Sequence, residues 1–329
     1  MKKFWRITAV LLLILVLAFG GGIYAKKPAS QINVALVLKN LTNPFFVDMK
    51  YGGEAAANKY KVKFTCLAPE RGDVESQIRN IEDLIQKGVD IIVVVPIDSQ
   101  GIVSGIERAN KANIPIIVAN TKANGGQFLS WAGIDSVAQA RAMGQYLVRV
   151  LKGKGKIVQL EGQTGAQTSI DRKIGFTEVF SKAKGIEVLA STPADYDKAT
   201  AMKVTEDLLV RFPKIDAVVC FNDSMALGAV EALKAAGRLK ETIVTGCDAN
   251  QDALDSIRKG ELTASVDSDP FSQAFYSVEA AIKYVKDGTV PPKLIVIGQG
   301  KATVVDKGNL VKFETSLQEK LKKYNIITK

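Results

Sequence analysis

The stretch Asp90-Ile91-Ile92-Val93-Val94-Val95-Pro96 decides the fold class of this chain. Its apolar residues do not alternate with polar ones, so the pattern predicts a strand with both faces covered. Strands of this kind are typical of parallel sheets that pack between layers of helices.

The same kind of run recurs through the first half of the chain, separated by longer amphipathic stretches. This alternation predicts strands over residues 33–38, 62–67, 89–95 and 115–119, with helices over 46–60 and 74–87 and a further helix before Pro115. Residues 127–135 are predicted to be a connection that leads into a new region.

The pattern then restarts. We predict strands over 156–160, 186–190, 217–221, 242–246 and 263–266, and helices over 169–182, 200–212, 223–236 and 251–259. A helix over 271–286 leads back to late strands near 294–297 and 303–305.

Two similar βα halves with late returning strands predict an α/β fold. It consists of two doubly wound parallel-sheet lobes joined by a multi-crossing hinge. The expected boundaries are residues 32–134 with about 270–297 for the first lobe and 135–267 with about 298–308 for the second. Residues 309–329 are predicted to form a terminal helix.

The N-terminus carries a targeting signal. Lys2, Lys3 and Arg6 precede an apolar run over 7–19, which is followed by Gly20-Gly21-Gly22 and then by Ala25 as the expected cleavage position. This order is typical of a secretory signal peptide over residues 1–25, and it predicts a periplasmic or extracytoplasmic location. The alternative is an uncleaved membrane anchor, since residues 7–25 are just long enough to span a bilayer.

The composition argues against most enzyme classes and against nucleic-acid binding. The 329 residues include no histidine, which removes Ser/His and Cys/His nucleophiles and most metal sites. We therefore expect no enzymatic activity, no metal and no cofactor. The net charge is +10, but the basic residues are scattered among acidic ones, without aromatic interleaving. Cys66, Cys220 and Cys247 are predicted to be free thiols, with a bridge between Cys220 and Cys247 as the alternative.

Polar residues follow the predicted strands in both halves. Ligands of open parallel sheets bind beyond the carboxyl ends of the strands, where residues 39–46, 120–121, 163–172, 195–197, 222–223, 248 and 267–269 lie. Asn, Asp and Arg side chains can engage two hydroxyls at once, and aromatic rings pack against sugar C–H faces. An Asn or Asp after a strand can equally cap the next helix, and Asp197 and Asp223 are predicted to be caps or turn residues.

These residues resemble the ribose- and galactose-type periplasmic binding proteins that supply ABC importers. The resemblance runs from about Asn33 to Leu310, and residues 42–46, 112–116, 168–176, 194–197, 222–229 and 244–248 carry it. It implies closure of two lobes around a carbohydrate, an ABC transporter permease as partner, and a monomer. It also implies crossings near Ile134 and Asp135, near Asp267, and near Ile297. The ligand contacts that it implies are Asn43, Phe45, Phe46, Arg172, Tyr196, Asn222 and Asp248.

The chain departs from the pattern of the ribose binders at several positions. Asn120 and Thr121 stand where ribose binders of this family carry an Asp-Arg pair, and Ser268 stands in place of a Gln. Lys39 also lies where it could point into the cleft. We therefore add Lys39, Asn120, Thr121 and Ser268 to the expected ligand site. The expected ligand is another pentose or hexose, a furanose or a polyol, and the alternative function is a membrane-anchored sugar-sensing receptor.

Overall fold

The computed structural model describes residues 27–69 and 72–324. The signal or anchor predicted over residues 1–25 lies outside this part of the chain. Within it, the first half supplies β1 (Asn33–Val37), β2 (Lys63–Leu67), β3 (Ile91–Val94), β4 (Ile116–Ala119) and β5 (Ser130–Gly133). The second half supplies β6 (Lys154–Glu161), β7 (Gly185–Pro193), β8 (Ala217–Cys220), β9 (Ile243–Asp248) and β10 (Ala264–Asp267). The late strands are β11 (Leu294–Val296) and β12 (Val304–Asp306).

These strands form two sheets of six, in the orders β11-β5-β4-β3-β1-β2 and β12-β10-β9-β8-β6-β7. Neighbouring strands are parallel except for β12, which pairs antiparallel with β10. The predicted α/β fold of two parallel-sheet lobes is therefore confirmed, with one antiparallel edge strand that the sequence did not indicate.

Helices connect the strands. They are α1 (Pro44–Tyr60), α2 (Val74–Gln86), α3 (Val103–Lys111), α4 (Ser136–Val150), α5 (Gln167–Phe180), α6 (Lys198–Arg211), α7 (Asp223–Ala235), α8 (Gln251–Lys259), α9 (Pro270–Asp287) and α10 (Leu310–Lys323). Among the described residues, no helix combines the length and the apolar character needed to span a membrane.

The central strand β3 shows why the unbroken apolar run was decisive. Ile91 and Val93 are fully buried in the apolar layer that the sheet forms with α1 and α9. Ile92 and Val94 are equally buried in the opposite layer, which includes side chains of α2 and α3. Both faces are covered, so both positions of the strand period had to be apolar.

The chain passes between the two sheets after β5, after β10 and after β11. Of the predicted crossing residues, Ile134 and Asp135 directly follow β5, and Asp267 is the last residue of β10. Asp135 also caps α4, since its side chain accepts the N–H of Ala138 at 2.9 Å. Ile297 directly follows β11.

Two local expectations were wrong. The predicted connection over 127–135 contains the strand β5, whose residues Ser130, Trp131 and Ala132 are buried between β4 and β11. Helix α1 begins at Pro44 rather than Phe46, because Asn43 caps it and proline suits the first helical turn.

Helix α10 touches both lobes. Leu310 and Phe313 at its start pack on the core of the second lobe, whereas Leu321 and Tyr324 pack on that of the first. Glu314 pairs with Arg258, and Lys320 pairs with Asp269 at 2.5 Å, next to the second crossing. Residues 325–329 of the predicted terminal helix lie outside the described part.

Candidate functional site

Most of the predicted site residues meet in one pocket between the lobes. The first lobe contributes side chains that follow β1 and β4. The second contributes side chains that follow β6, β7 and β8, and the last residue of β9. The lining residues are Lys39, Asn43, Phe45, Phe46, Asn120, Thr168, Arg172, Tyr196, Asn222 and Asp248.

Two predicted residues, Thr121 and Ser268, are buried directly behind this lining. The Thr121 hydroxyl donates to Asn120 Oδ1 at 3.3 Å and lies 3.5 Å from the hydroxyl of Thr168 in the other lobe. The Ser268 hydroxyl donates to Asp248 Oδ1 at 3.0 Å. The structure therefore places both as supports of residues that face the pocket.

Asn43 and Asn222 cap helices and line the pocket at the same time. Asn43 Oδ1 accepts the N–H of Phe45 at 3.0 Å, and Asn222 Oδ1 accepts the N–H of Met225 at 2.9 Å. Each cap uses the amide oxygen, so the orientation of each amide group is fixed.

Of the two carboxylates predicted to be caps, one is confirmed. Asp197 caps α6 through the N–H of Thr200. The prediction for Asp223 was wrong, because Asn222 occupies the cap position of α7. Asp223 is instead fully buried and accepts hydrogen bonds from the Ser265 hydroxyl at 2.6 Å and from the N–H of Asn250 at 2.9 Å.

Aromatic rings form the apolar part of the pocket. Phe45 and Phe46 meet edge to face, with ring centroids 5.1 Å apart. Tyr196 lies in the other lobe, and its hydroxyl is 3.2 Å from that of Thr168. A ligand between the lobes would thus contact aromatic side chains of both lobes.

Arg172 and Asp248 form a buried ion pair. Arg172 Nη2 lies 3.3 Å from Asp248 Oδ1, and Nη1 donates to the carbonyl oxygen of Phe221. Burial raises the pKa of Asp248, and the Arg172 guanidinium offsets part of that rise. Arg172 Nε is also buried, and among the described residues it has no hydrogen-bond acceptor.

Lys39 is the second cation of the pocket. Its Nζ lies 3.4 Å from Gln163 Oε1 and 5.6 Å from the ring centroid of Tyr196. Burial and the nearby charge of Arg172 lower the pKa of Lys39 to about 7.

The lobes touch each other across the cleft. The N–H of Ser99 in the first lobe donates to the carbonyl oxygen of Gly165 in the second at 3.0 Å. The hydroxyl of Ser99 accepts the N–H of Gln167 at 3.0 Å, at the start of α5. Lys122 and Asp171 lie 3.9 Å apart across the same gap. The structure is therefore that of closed lobes.

Sequence reasoning missed several residues of this region. Thr168 lines the pocket, although the sequence offered only its place among the polar residues after β6. Gln139 and Gln273 are buried and hydrogen-bond to the segment around Ser268. Both lie inside helices, where nothing in the local pattern distinguishes them from other polar helix residues.

The three cysteines are free thiols, and Cys220 and Cys247 are buried. Burial raises the pKa of Cys247 to about 12, so it stays protonated at neutral pH. Over residues 27–69 and 72–324, no group of His, Cys, Asp or Glu side chains is arranged to hold a metal ion.

Comparison with known proteins gives a consistent result. A family model described as periplasmic binding protein domain matches residues 34–289. A ribose import binding protein of Haemophilus influenzae is 31% identical over 296 residues, which cover 90% of this chain and 98% of that protein. The structure of an ABC transporter solute binding protein from Bacillus halodurans with bound myo-inositol has a TM-score of 0.80 and 29% identity, covering 87% of this chain and 98% of that one. The fructose-binding periplasmic domain of a hybrid two-component system has a TM-score of 0.82 and 25% identity, covering 90% and 98%.

Proposed function

This chain belongs to the periplasmic binding protein family, and from that membership we propose that it captures a monosaccharide or cyclic polyol outside the cytoplasm and delivers it to an ABC importer. The two lobes close around the ligand, as the contacts of Ser99 with Gly165 and Gln167 support. Binding, rather than chemical conversion, is then the whole task of the pocket.

One observation carries the ligand class. Arg172 is buried, and its Nε has no acceptor among the described residues. An unpaired buried donor costs about 1–3 kcal/mol. A ligand oxygen in the pocket would supply the missing acceptor, and Asp248 beside it would accept from a neighbouring hydroxyl.

The close approach of the two lobes supports a ligand with a single ring. Phe45, Phe46 and Tyr196 provide ring surfaces for the C–H faces of such a ligand. An oligosaccharide would not fit between lobes that touch at Ser99 and Gly165.

We propose that the preferred ligand is not ribose. Asn120 and Thr121 replace the charged pair that ribose binders carry at these positions, and Lys39 adds a charge. The remaining proposed contacts are Asn43, Phe45, Phe46, Arg172, Tyr196, Asn222 and Asp248, with Ser268 and Thr121 supporting them.

The test is a ligand panel on the purified chain without residues 1–25. Pentoses, hexoses, furanoses and cyclic polyols, including D-ribose, D-allose, D-fructose and myo-inositol, are added separately while thermal unfolding is followed. We expect one compound or one stereochemical group to raise the melting temperature clearly, because the ligand binds only the folded state. No shift across the whole panel would contradict the proposal.

A matched pair of variants tests the role of Arg172. Arg172→Gln removes the buried guanidinium, and Lys173→Gln removes a neighbouring charge on the same helix that pairs with Glu161 at the surface. Charged hydrogen bonds contribute about 1.5–3 kcal/mol, so Arg172→Gln should weaken binding by roughly tenfold or more. Lys173→Gln should leave the affinity unchanged, and equal losses in both variants would argue against a ligand contact at Arg172.

The partner and the cellular arrangement complete the proposal. We propose export by residues 1–25, action as a monomer, and docking to an ABC transporter permease. The alternative is a membrane-anchored sugar sensor, and the likeness to the fructose-binding domain of a two-component system supports it. Mass measurement of the exported chain separates the two: loss of residues 1–25 supports the soluble receptor, and their retention supports the anchored sensor. Light scattering on the purified chain tests whether the protein is a monomer.

A further inference from the structure

The pocket residue Asn120 is held from behind by a buried glutamine. Asn120 Nδ2 donates to Gln273 Oε1 at 3.0 Å, and Gln273 Nε2 donates to the carbonyl oxygen of Ser268 at 2.6 Å. Gln273 is fully buried in the first turn of α9, directly after the second crossing between the lobes. Both ends of its amide group are therefore used.

Only one assignment of donors and acceptors fits this arrangement. A backbone carbonyl is an acceptor only, so Gln273 must present its Nε2 to Ser268 and its Oε1 to Asn120. Asn120 must then direct Nδ2 toward Gln273, which leaves Oδ1 on the other side. There the Thr121 hydroxyl donates to Oδ1 at 3.3 Å, which agrees with the same orientation.

A second glutamine fixes the other end of the chain of hydrogen bonds. Gln139 Nε2, in the first turn of α4, donates to the carbonyl oxygen of Asp267 at 2.6 Å and to the Ser268 hydroxyl at 3.0 Å. Because the Ser268 hydroxyl accepts from Gln139, its own hydrogen is directed to Asp248 Oδ1 at 3.0 Å. Ser268 thus connects pocket residues of both lobes through groups whose donor and acceptor roles are fixed.

We propose that Gln273 is a specificity-determining positioning residue, which holds the Asn120 amide so that Oδ1 accepts a hydroxyl of the bound sugar. The proposal rests on the proposed function of sugar binding. An asparagine free to turn could accept or donate at this position, whereas the held asparagine offers an acceptor much as a carboxylate would. The pocket therefore selects a ligand that presents an O–H donor toward Asn120.

The test compares ligands that differ at single hydroxyls. Wild type and Gln273→Met are titrated with the compound of the panel that stabilises wild type, and with its deoxyfluoro derivatives, because C–F cannot donate a hydrogen bond. In wild type, one derivative should bind about tenfold or more weakly, the loss expected for an unpaired buried acceptor. In Gln273→Met, the released amide can turn its Nδ2 toward the fluorine, so this ratio should fall several-fold toward one.

A merely structural role for Gln273 predicts something different. Loss of packing would weaken the binding of the parent sugar and of its derivatives by the same factor. The ratio of their affinities would then stay unchanged, and that result would overturn the proposal. In the Gln273→Met background, Asn120→Asp supplies an acceptor in either orientation, so the double variant should regain a ratio at least as large as that of wild type. Asn120→Leu keeps the proposal testable if Gln273→Met does not fold, because loss of the accepting oxygen should bring the ratio toward one, and an unchanged ratio would overturn the proposal.

A ligand-free measurement separates this inference from the proposed function. In ¹⁵N-labelled protein, the side-chain NH₂ signals of Asn120 are identified by their loss in Asn120→Asp. Slow exchange of one of these hydrogens with solvent in wild type, and fast exchange in Gln273→Met, would support the fixed orientation even if no sugar of the panel binds. Equally fast exchange in both proteins would overturn it.

Discussion

Asn120, Tyr196 and Asp248 line the pocket with φ angles of 57°, 60° and 131°, a region that favours glycine. A positive φ is tolerated by asparagine but is unusual for a bulky residue such as tyrosine, and each such residue costs on the order of 1–3 kcal/mol. The surrounding structure must therefore hold these residues in place. Their presence in the pocket is consistent with halves of the site that are each formed before the lobes close on a ligand.

At Tyr196 the holding contact is a glycine. A Cβ added to Gly162 would lie 2.0 Å from the tyrosine ring, so the ring packs directly against the backbone. We expect Gly162→Ala to displace the ring and to weaken sugar binding by about tenfold, since overpacking costs about 1–3 kcal/mol. Calorimetric titration measures this, with Gly308→Ala as the control at a surface loop. Unchanged affinity in Gly162→Ala would show that the position of Tyr196 does not matter for binding.

Lys39 predicts a pH dependence of stability. Burial lowers its pKa to about 7, against 10.5 for an ordinary lysine, so between these values the unfolded chain binds more protons than the folded one. The free energy of unfolding contributed by this group therefore rises with pH over that window, and the penalty is complete below pH of about 7.

Lys39 meets Gln163, Tyr196 and Arg172 across the cleft, so the penalty belongs to the closed form. Lys39→Met should consequently favour closure of the ligand-free protein, by an amount on the order of 1–3 kcal/mol near neutral pH that shrinks toward pH of about 10. Small-angle scattering at several pH values measures the closed fraction. Lys111→Met, at an exposed site on α3, is the control and should show no such trend. If the gain did not vary with pH, the effect of Lys39→Met would come from packing rather than from the charge of Lys39.

At the residue scale, the sequence located the pocket better than it assigned roles within it. For Asn43 and Asn222 the sequence allows either a helix cap or a ligand contact, but an amide has two ends and the structure uses one for the cap. The position of Asp223 after a strand predicts a cap or turn residue, yet Asn222 is one residue earlier and caps the helix. Gln273 could not be found from its neighbours in sequence, because its partner Asn120 is 153 residues away.

At the element scale, helix α4 begins at the first crossing between the lobes. Asp135 accepts the N–H of Ala138 at 2.9 Å and follows β5 after a single residue, so its cap fixes where the helix starts. We expect Asp135→Ala to lower the free energy of unfolding by about 0.5–2 kcal/mol, the usual cost of losing an N-cap. Asp135→Asn should retain most of it. Chemical unfolding measures both variants, and equal losses would mean that the charge of Asp135, rather than its capping oxygen, stabilises α4.

Most helices and strands were predictable from the sequence, because their apolar residues recur with a clear helical or strand periodicity. The run Ile91–Val94 is apolar at every position since both faces of β3 are covered. Strand β5 was not predicted, because it is only 4 residues long and begins with a serine. A strand this short does not show a clear hydrophobic period. Its place between β4 and β11 depends on a strand that comes more than 150 residues later in the chain, which no local pattern can show.

At the scale of the whole molecule, a residue of one lobe caps a helix of the other lobe. Helix α5 has no side-chain cap of its own, because Ala166 occupies the cap position. Ser99 of the first lobe supplies the missing acceptor, with its hydroxyl 3.0 Å from the N–H of Gln167. The lobes also approach so closely here that a Cβ on Gly165 would lie 1.5 Å from Asp98 Oδ2. The cap exists only while the lobes are closed, so it must favour the closed form.

This coupling predicts that Ser99→Ala weakens sugar binding without a direct contact to the sugar. An N-cap contributes about 0.5–2 kcal/mol, so the affinity should fall by roughly 2- to 30-fold, while the stability of the ligand-free protein, whose lobes are free to open, should hardly change. Calorimetric titration gives the affinity, and small-angle scattering at saturating ligand shows whether the variant still closes. Ser104→Ala, on the exposed side of α3, is the matched control. If Ser99→Ala lowered the stability of the ligand-free protein by as much as it weakened binding, the contact would already exist without ligand, and the lobes would then be closed before the sugar enters.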